Sequence, residues 1–263
     1  MRKIAINLHA KKGLDTASYI KKMHEVGFDA LFTDVPELSE LKIIVNTLRE
    51  CGMSYEMIHA PFDGINNIWL TGEAGEHMLQ RLMIAVERAA FAGCPIVVVH
   101  LSSGNTPPSI TDVGRARFEQ LVAYAAQKQV KIAFENQRKL ANLAWAFEAF
   151  EKYPNVGFCW DCGHEGCFTP GKEYMPLFGD RLLCTHIHDN NCRPDEDEHM
   201  LPFDGRLDFG RVAKRLRESG YRGTLTLEVF ASNSGQYDFI TCEAFLQKAA
   251  MVIKRLRLMV DGF

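Results

Sequence analysis

The chain has 263 residues, of which 47% are hydrophobic and 24% are charged, and its formal net charge is −3. These values fit a globular protein with an ample core, built as one α/β barrel or as two small domains. The mild negative charge excludes a global field that would attract nucleic acid or an anionic membrane surface.

The N-terminus reads MRKIAINLHA, which is strand-like and lacks the apolar run and the cleavage site of a signal peptide. No apolar run reaches the roughly 20 residues of a membrane span. We therefore expect a cytoplasmic protein with reduced cysteines. Cys159 and Cys162 form a C-x-x-C spacing, but a strand would point them to opposite faces, so we interpret them as packed free thiols.

Strand-like and helix-like segments alternate along the whole chain. Apolar runs with strand character are predicted as strands at 3–9, 30–35, 53–59, 95–100, 130–135, 156–161, 181–188 and 224–230. Amphipathic segments between them predict helices at 16–26, 38–51, 74–92, 113–129, 140–152, 174–178, 209–219 and 237–258. Several of these helices are followed by glycine, which commonly ends a helix.

This alternation predicts a single (β/α)8 barrel over residues 1–263, with a doubly wound open sheet as the alternative. The last six predicted strands each carry a potential metal ligand at or near their end: His59, His100, Glu135, Asp161, His186 and Glu228. A barrel brings such strand ends to one mouth, whereas an open sheet spreads them along a row. The pattern therefore favours the barrel and predicts a metal-centred site.

Glu135 and Glu228 are the central pair of this site. Their neighbours on the same strand face, such as Ala133 and Thr226, are small or polar, which suits acids at a wet barrel mouth. Two unpaired buried carboxylates would cost several kcal/mol, so we expect a cation between them. Pairing with lysine or arginine is the alternative.

Further histidines and acids follow the strand ends. His186 and His188 share one face of the seventh strand, and His164 follows Asp161 by three residues. The longest irregular stretch, 189–207, contains Asp197 and His199. We expect this loop to fold over the mouth, with a solvated acidic loop as the alternative.

Taken in order, these motifs resemble the xylose isomerase-like TIM-barrel superfamily. They are Phe134-Glu135-Asn136, Asp161-x-Gly-His164, His186-x-x-Asp189, Pro202-x-x-Gly205-x-x-Asp208 and Leu227-Glu228. The superfamily includes sugar and sugar phosphate isomerases and epimerases as well as AP endonucleases of the endonuclease IV type. The resemblance spans essentially the whole chain but does not specify a substrate.

For an isomerase or epimerase, the resemblance implies one divalent metal, such as Mn, Mg, Co or Zn. Its ligands would be the residues at Glu135, Asp161, His186 and Glu228. The metal would bind the oxygens of an α-hydroxy ketone or aldehyde. One glutamate would remove a carbon-bound proton and the other would return it across a cis-enediolate. His164, together with His188 or Arg193, would hold substrate oxygens.

The nuclease relatives provide the main alternative. Their trinuclear zinc site implies nine ligands, and each has a match here: His59, His100, Glu135, Asp161, His164, His186, Asp197, His199 and Glu228. The acidic chain and the acid-rich loop argue against a DNA substrate, because a DNA enzyme must neutralise phosphates. A barrel that binds metal without catalysis is a third possibility, which the intact glutamate pair argues against. We expect a carbohydrate substrate and a homo-oligomer.

Overall fold

A computed structural model describes residues 1–262; Phe263, the last residue of the predicted domain, lies outside them. All eight predicted strands form, and all are parallel to their neighbours. Their bounds are β1 Ile4–Asn7, β2 Ala30–Asp34, β3 Ser54–His59, β4 Ile96–Val99, β5 Lys131–Glu135, β6 Val156–Asp161, β7 Leu182–His186 and β8 Leu225–Leu227.

The strands close into a ring. They are ordered β7-β6-β5-β4-β3-β2-β1-β8, and the two ends of this order meet through a parallel bridge between Ile187 and Leu227. The Ile187 amide donates to the Thr226 carbonyl at 2.8 Å, and the Glu228 amide donates to the Ile187 carbonyl at 3.1 Å. The (β/α)8 prediction is confirmed and the open sheet is excluded.

Helices surround the barrel. They are α1 Thr16–Val26, α2 Leu38–Cys51, α3 Glu73–Ala92, α4 Asp112–Gln127, α5 Leu140–Ala149, α6 Cys162–Cys167, α7 Met175–Phe178, α8 Phe209–Glu218 and α9 Cys242–Asp261. The first two match the predicted bounds. The last helix was predicted to begin at Tyr237 but begins after Thr241, whose hydroxyl caps it by accepting from the Ala244 amide. The structure adds α6 and a 3-10 helix, Ile65–Trp69, which were not predicted.

The core has two parts. The larger part packs the helices against the outside of the barrel. The smaller part fills the barrel interior with Phe32, Met57, Ile96, Val98, Ala133, Cys159 and Cys184. Strand periodicity then places Glu135, Asp161 and His186 on the same inward face, two residues beyond members of this apolar plug. The plug therefore forms a dry floor beneath the barrel mouth. The eight cysteines are free thiols.

The loop between β7 and α8 is organised by one buried carboxylate. Asp189 accepts hydrogen bonds from the amides of Asn190, Gly205 and Leu207 at 2.8, 2.8 and 3.0 Å. A side chain at Gly205 would overlap the Asp189 carboxylate. The two ends of the loop are thereby held together, and its middle folds back toward the mouth.

Within residues 1–262, none of the helices combines the length and the apolar character that crossing a membrane requires.

Candidate metal centre at the barrel mouth

A cavity of about 270 Å³ opens at the carboxyl ends of the strands. Its lining residues are Asp34, His59, Phe62, His100, Ser103, Glu135, Gln137, Arg138, His164, Phe168, Asp197, His199, Glu228 and Phe230. Active sites of barrel enzymes lie at this end. The loop after β7 contributes Asp197 and His199, so it folds over the mouth and is not merely a solvated acidic loop.

Four of the predicted residues converge at the base of the mouth. Potential ligand atoms of Glu135, Asp161, His186 and Glu228 lie within 4.8 Å of one another, and all four residues are buried. His186 Nδ1 lies 2.7 Å from Glu135 Oε1 and 3.3 Å from Glu228 Oε2. We call these four residues the floor site.

The donor set of the floor site fits a divalent cation. It places three buried carboxylates beside one imidazole, and throughout residues 1–262 no lysine or arginine forms an ion pair with these three carboxylates. The alternative of glutamates paired with lysine or arginine is therefore wrong. Their charged partners in this range are histidines, and a divalent metal would satisfy carboxylates and imidazole together. Oxygen-rich donor sets suit Mg²⁺ or Mn²⁺.

The two glutamates of the floor site are electrostatically different. Burial opposes ionisation of Glu135, but the charge of His186 and the hydrogen bond from His100 hold its pKa well below its usual range. Burial raises the pKa of Glu228, and the nearby Glu135 charge adds to this effect. Two carboxyl groups whose pKa values are pushed apart are typical of an acid/base pair.

Asp161 has two roles in the structure. One oxygen, Oδ1, accepts from the His164 amide at 2.7 Å and so caps α6, as an Asp at a strand end often does. The other oxygen lies 3.2 Å from His188 Nε2. Because Oδ1 caps the helix, the Asp161 carboxylate is held in one orientation. Its other oxygen, Oδ2, is directed toward the site.

Two further predicted histidines surround Glu135. His100 Nε2 lies 2.5 Å and His59 Nε2 lies 3.4 Å from Glu135 Oε2. The Gln137 amide nitrogen lies beside this pair, 3.2 Å from His100 Nε2 and 3.4 Å from Glu135 Oε2. It is also 3.3 Å from His164 Nδ1. Gln137 was not predicted as a site residue, because a glutamine two residues past a strand end carries no distinctive signal.

A second cluster lies beside the floor site. It contains His164, His188, Asp197 and His199, again with one ligand atom from each within 4.8 Å of the others. Asp197 Oδ2 is 3.2 Å from His164 Nε2 and 3.0 Å from His199 Nε2, and Asp197 Oδ1 is 3.6 Å from His188 Nε2. We call these four residues the rim site. It joins the segments that follow β6 and β7 to the loop that covers the mouth.

The absence of a side chain at Gly163 allows the His188 ring to pack against it. A methyl group at Gly163 would overlap the His188 ring, which packs directly against the first turn of α6. Gly163 is not in the left-handed region, so it is needed for this close approach and not for a sharp turn.

Arg193 does not line the cavity; it is exposed and pairs with Glu196. The arginine at the mouth is Arg138. It donates to Asp195 at 2.9 Å and lies over the Phe168 ring, with the guanidinium carbon 3.5 Å from the ring centre. Phe168 in turn stacks on His164 at 4.6 Å. Loop side chains of this kind were not predicted, because their positions depend on tertiary contacts.

The sequence profile of the family described as xylose isomerase-like TIM barrel matches residues 10–255. The y4fM protein of Sinorhizobium fredii is 29% identical over 256 residues, covering 84% of this chain and 80% of the relative. The MJ1311 protein of Methanocaldococcus jannaschii is 25% identical over 202 residues, covering 70% and 68% respectively.

Solved structures share the same architecture. A D-tagatose 3-epimerase-like protein superimposes with a TM-score of 0.78 at 21% identity, covering 99% of this chain and 98% of that protein. The 3-keto-D-glucoside 4-epimerase YcjR of E. coli gives 0.75 at 19% identity, with coverage of 98% and 99%. A D-allulose 3-epimerase of Methylomonas sp., in complex with D-allulose, gives 0.76 at 16% identity, with 97% coverage of both chains. At these identities the likeness establishes the fold.

Proposed function

Because the chain belongs to the xylose isomerase-like TIM-barrel family, we propose that it is a metal-dependent isomerase or epimerase of a sugar, sugar phosphate or keto-polyol. The floor site carries this proposal. It combines a buried four-residue donor set with two glutamates from separate strands that face a common point. Structural neighbours named as epimerases of tagatose, allulose and a keto-glucoside support the same class of reaction.

Glu135, Asp161, His186 and Glu228 would hold the metal. A bound divalent cation polarises a substrate carbonyl and acidifies the adjacent C–H bond. Glu135, whose pKa is held low, is suited to accept that proton. Glu228, whose pKa is raised, is suited to deliver a proton from its own side. Glutamates on different sides of a substrate carbon favour epimerisation, because removal and delivery then occur on opposite faces.

The cavity has the character of a carbohydrate site. Phe62, Phe168 and Phe230 line it together with histidines and acids. Such rings pack against the C–H faces of a sugar, while polar groups bind its hydroxyls. His59, His100 and Gln137 form the polar wall closest to Glu135 and are placed to hold substrate oxygens.

A zinc phosphodiesterase of the endonuclease IV type is the second candidate. The observation that favours it is the gathering of all nine matching residues around one mouth. Two features oppose it. The Gln137 amide lies beside His100 and Glu135, where that interpretation needs another metal. Among the described residues, Arg138 is the only arginine or lysine that lines the cavity, and Asp195 neutralises it.

Proton exchange with solvent tests the proposal. The Mn²⁺-loaded protein would be incubated with a panel of ketoses in D₂O, and deuterium at the carbon next to the carbonyl would be measured. We expect incorporation by the wild type and its loss in Glu135→Gln and Glu228→Gln. Full exchange in either variant would disprove the paired-glutamate mechanism. The exposed Glu196→Gln serves as the matched control and should exchange normally.

A further inference from the structure

Asp195 connects four loop segments at the edge of the mouth. Its Oδ1 accepts a hydrogen bond from Arg138 Nε at 2.9 Å, and its Oδ2 accepts one from the Asn105 amide nitrogen at 3.0 Å. Its backbone amide donates to the Cys167 carbonyl at 3.1 Å. The three partners follow β4, β5 and β6, while Asp195 belongs to the loop after β7. The hydrogen bonds from Asn105 and Arg138 lower the pKa of the Asp195 carboxyl, so this group is charged at neutral pH.

Arg138 is held from two directions. Asp195 binds its Nε, and the face of its guanidinium lies on the Phe168 ring, with the guanidinium carbon 3.5 Å from the ring centre. Such stacking restricts the guanidinium to one plane. Arg138 and Phe168 line the cavity, whereas Asp195 does not. The carboxylate that balances the Arg138 charge therefore stands outside the space that a substrate would occupy.

This pairing bears on the charge of the substrate. Proteins commonly bind phosphate groups through arginine or lysine. Within residues 1–262, Arg138 is the only residue of either type that lines the mouth, and its charge is already balanced by Asp195. The lining also contains four carboxylates, those of Asp34, Glu135, Asp197 and Glu228. A phosphate dianion at the mouth would thus be repelled by nearby carboxylates without an unpaired arginine to bind it, whereas an uncharged hydroxyl would not.

We propose that the pair formed by Asp195 and Arg138 determines specificity, by making the mouth select uncharged sugars or polyols over their phosphate esters. The inference rests on the proposed function and narrows its substrate class. Asp195 is a positioning residue in this scheme, because it acts on the substrate through Arg138. Its negative charge discriminates against the wrong ligand, which is a common source of specificity in binding sites.

Binding of unreactive polyols tests this preference without any turnover. Sorbitol and its terminal phosphate ester would be titrated by calorimetry into the Mn²⁺-loaded protein. We expect the wild type to bind sorbitol more tightly than the ester. Asp195→Asn should raise the affinity for the ester, relative to that for sorbitol, by roughly tenfold, as expected when one unit charge is removed from a partly buried site. The asparagine oxygen can still accept from Arg138 Nε, so the variant removes the charge and keeps the contact.

Three further variants separate charge from structure. Asp195→Glu keeps the charge and should retain the wild-type affinity ratio. Glu196→Gln removes an adjacent exposed charge that pairs with Arg193, and it should also retain the ratio. In the double variant Asp195→Asn/Arg138→Gln the gain for the ester should disappear, because the guanidinium that binds phosphate is no longer present.

Several results would overturn the inference. A wild type that binds the ester at least as tightly as sorbitol would do so, as would an unchanged ratio in Asp195→Asn or a failure of both compounds to bind. A gain that persists in the double variant would show that Asp195 does not act through Arg138. Deuterium exchange reports on the reaction separately. Its absence with every ketose would refute the proposed function and leave the measured binding preference intact.

Discussion

Gln137 illustrates how one uncharged side chain can shape the site. Its amide nitrogen lies 3.2 Å from His100 Nε2, 3.4 Å from Glu135 Oε2 and 3.3 Å from His164 Nδ1. We expect Gln137→Ala to retain the floor metal and to lower kcat/KM for the sugar roughly tenfold, as loss of one hydrogen bond to substrate predicts. Steady-state kinetics and metal analysis of the variant measure both quantities. Unchanged kinetics would remove Gln137 from the binding wall.

His199 predicts an unusual pH dependence for the metal-free protein. Burial opposes its charge, but Asp197 raises its pKa to about 9. A group whose pKa is raised on folding stabilises the protein below its unfolded pKa of about 6.5, and this stabilisation is lost as the pH rises through the folded value. His59, also raised to about 9 beside Glu135, acts in the same direction.

We therefore expect the melting temperature in the presence of a chelator to fall between pH 6.5 and pH 9. His199→Gln should flatten the metal-free curve. A metal-free melting temperature that rises across this range would contradict the charge state inferred for these histidines.

The loop after β7 depends on one buried residue for its conformation. It contains Asp197 and His199, but the Asp189 carboxylate at its base holds its shape. Asp189→Asn can leave one buried amide without an acceptor, which costs about 1–3 kcal/mol. We expect that loss in the free energy of unfolding, measured with urea. Glu196→Gln in the same loop should leave the stability unchanged. If Asp189→Asn were as stable as the wild type, the Asp189 carboxylate would not be what holds the loop together.

The strands and helices were largely predictable from sequence, because their periodicity is local. That the strand ends meet was predictable too, since a closed ring of parallel strands brings them together whatever the loops do. Two ends were predicted too late: β7 ends at His186 and β8 at Leu227, so His188 follows its strand instead of lying on it. Loop-dependent features were not. Arg138 reaches the mouth and Arg193 does not, and nothing in their local sequence separates them. The need for glycine at Gly163 likewise comes from a histidine 25 positions later, which only the folded contact reveals.

At the scale of the molecule, the barrel works as a frame that places buried carboxylates above an apolar plug. The interior cluster excludes water from below, and the loop after β7 covers the site from above. Ligand atoms from β5, β6, β7 and the residue that follows β8 meet in the floor site. The proposed chemistry depends on metal binding at the floor site.

Anomalous diffraction from crystals of the protein grown with Mn²⁺ and Zn²⁺, recorded at both absorption edges, tests this claim most directly. We predict manganese among Glu135, Asp161, His186 and Glu228. The absence of any metal from the floor site would contradict a metal-dependent reaction at the barrel mouth. Three zinc ions, with one held by His59 and His100, would replace it with the phosphodiesterase.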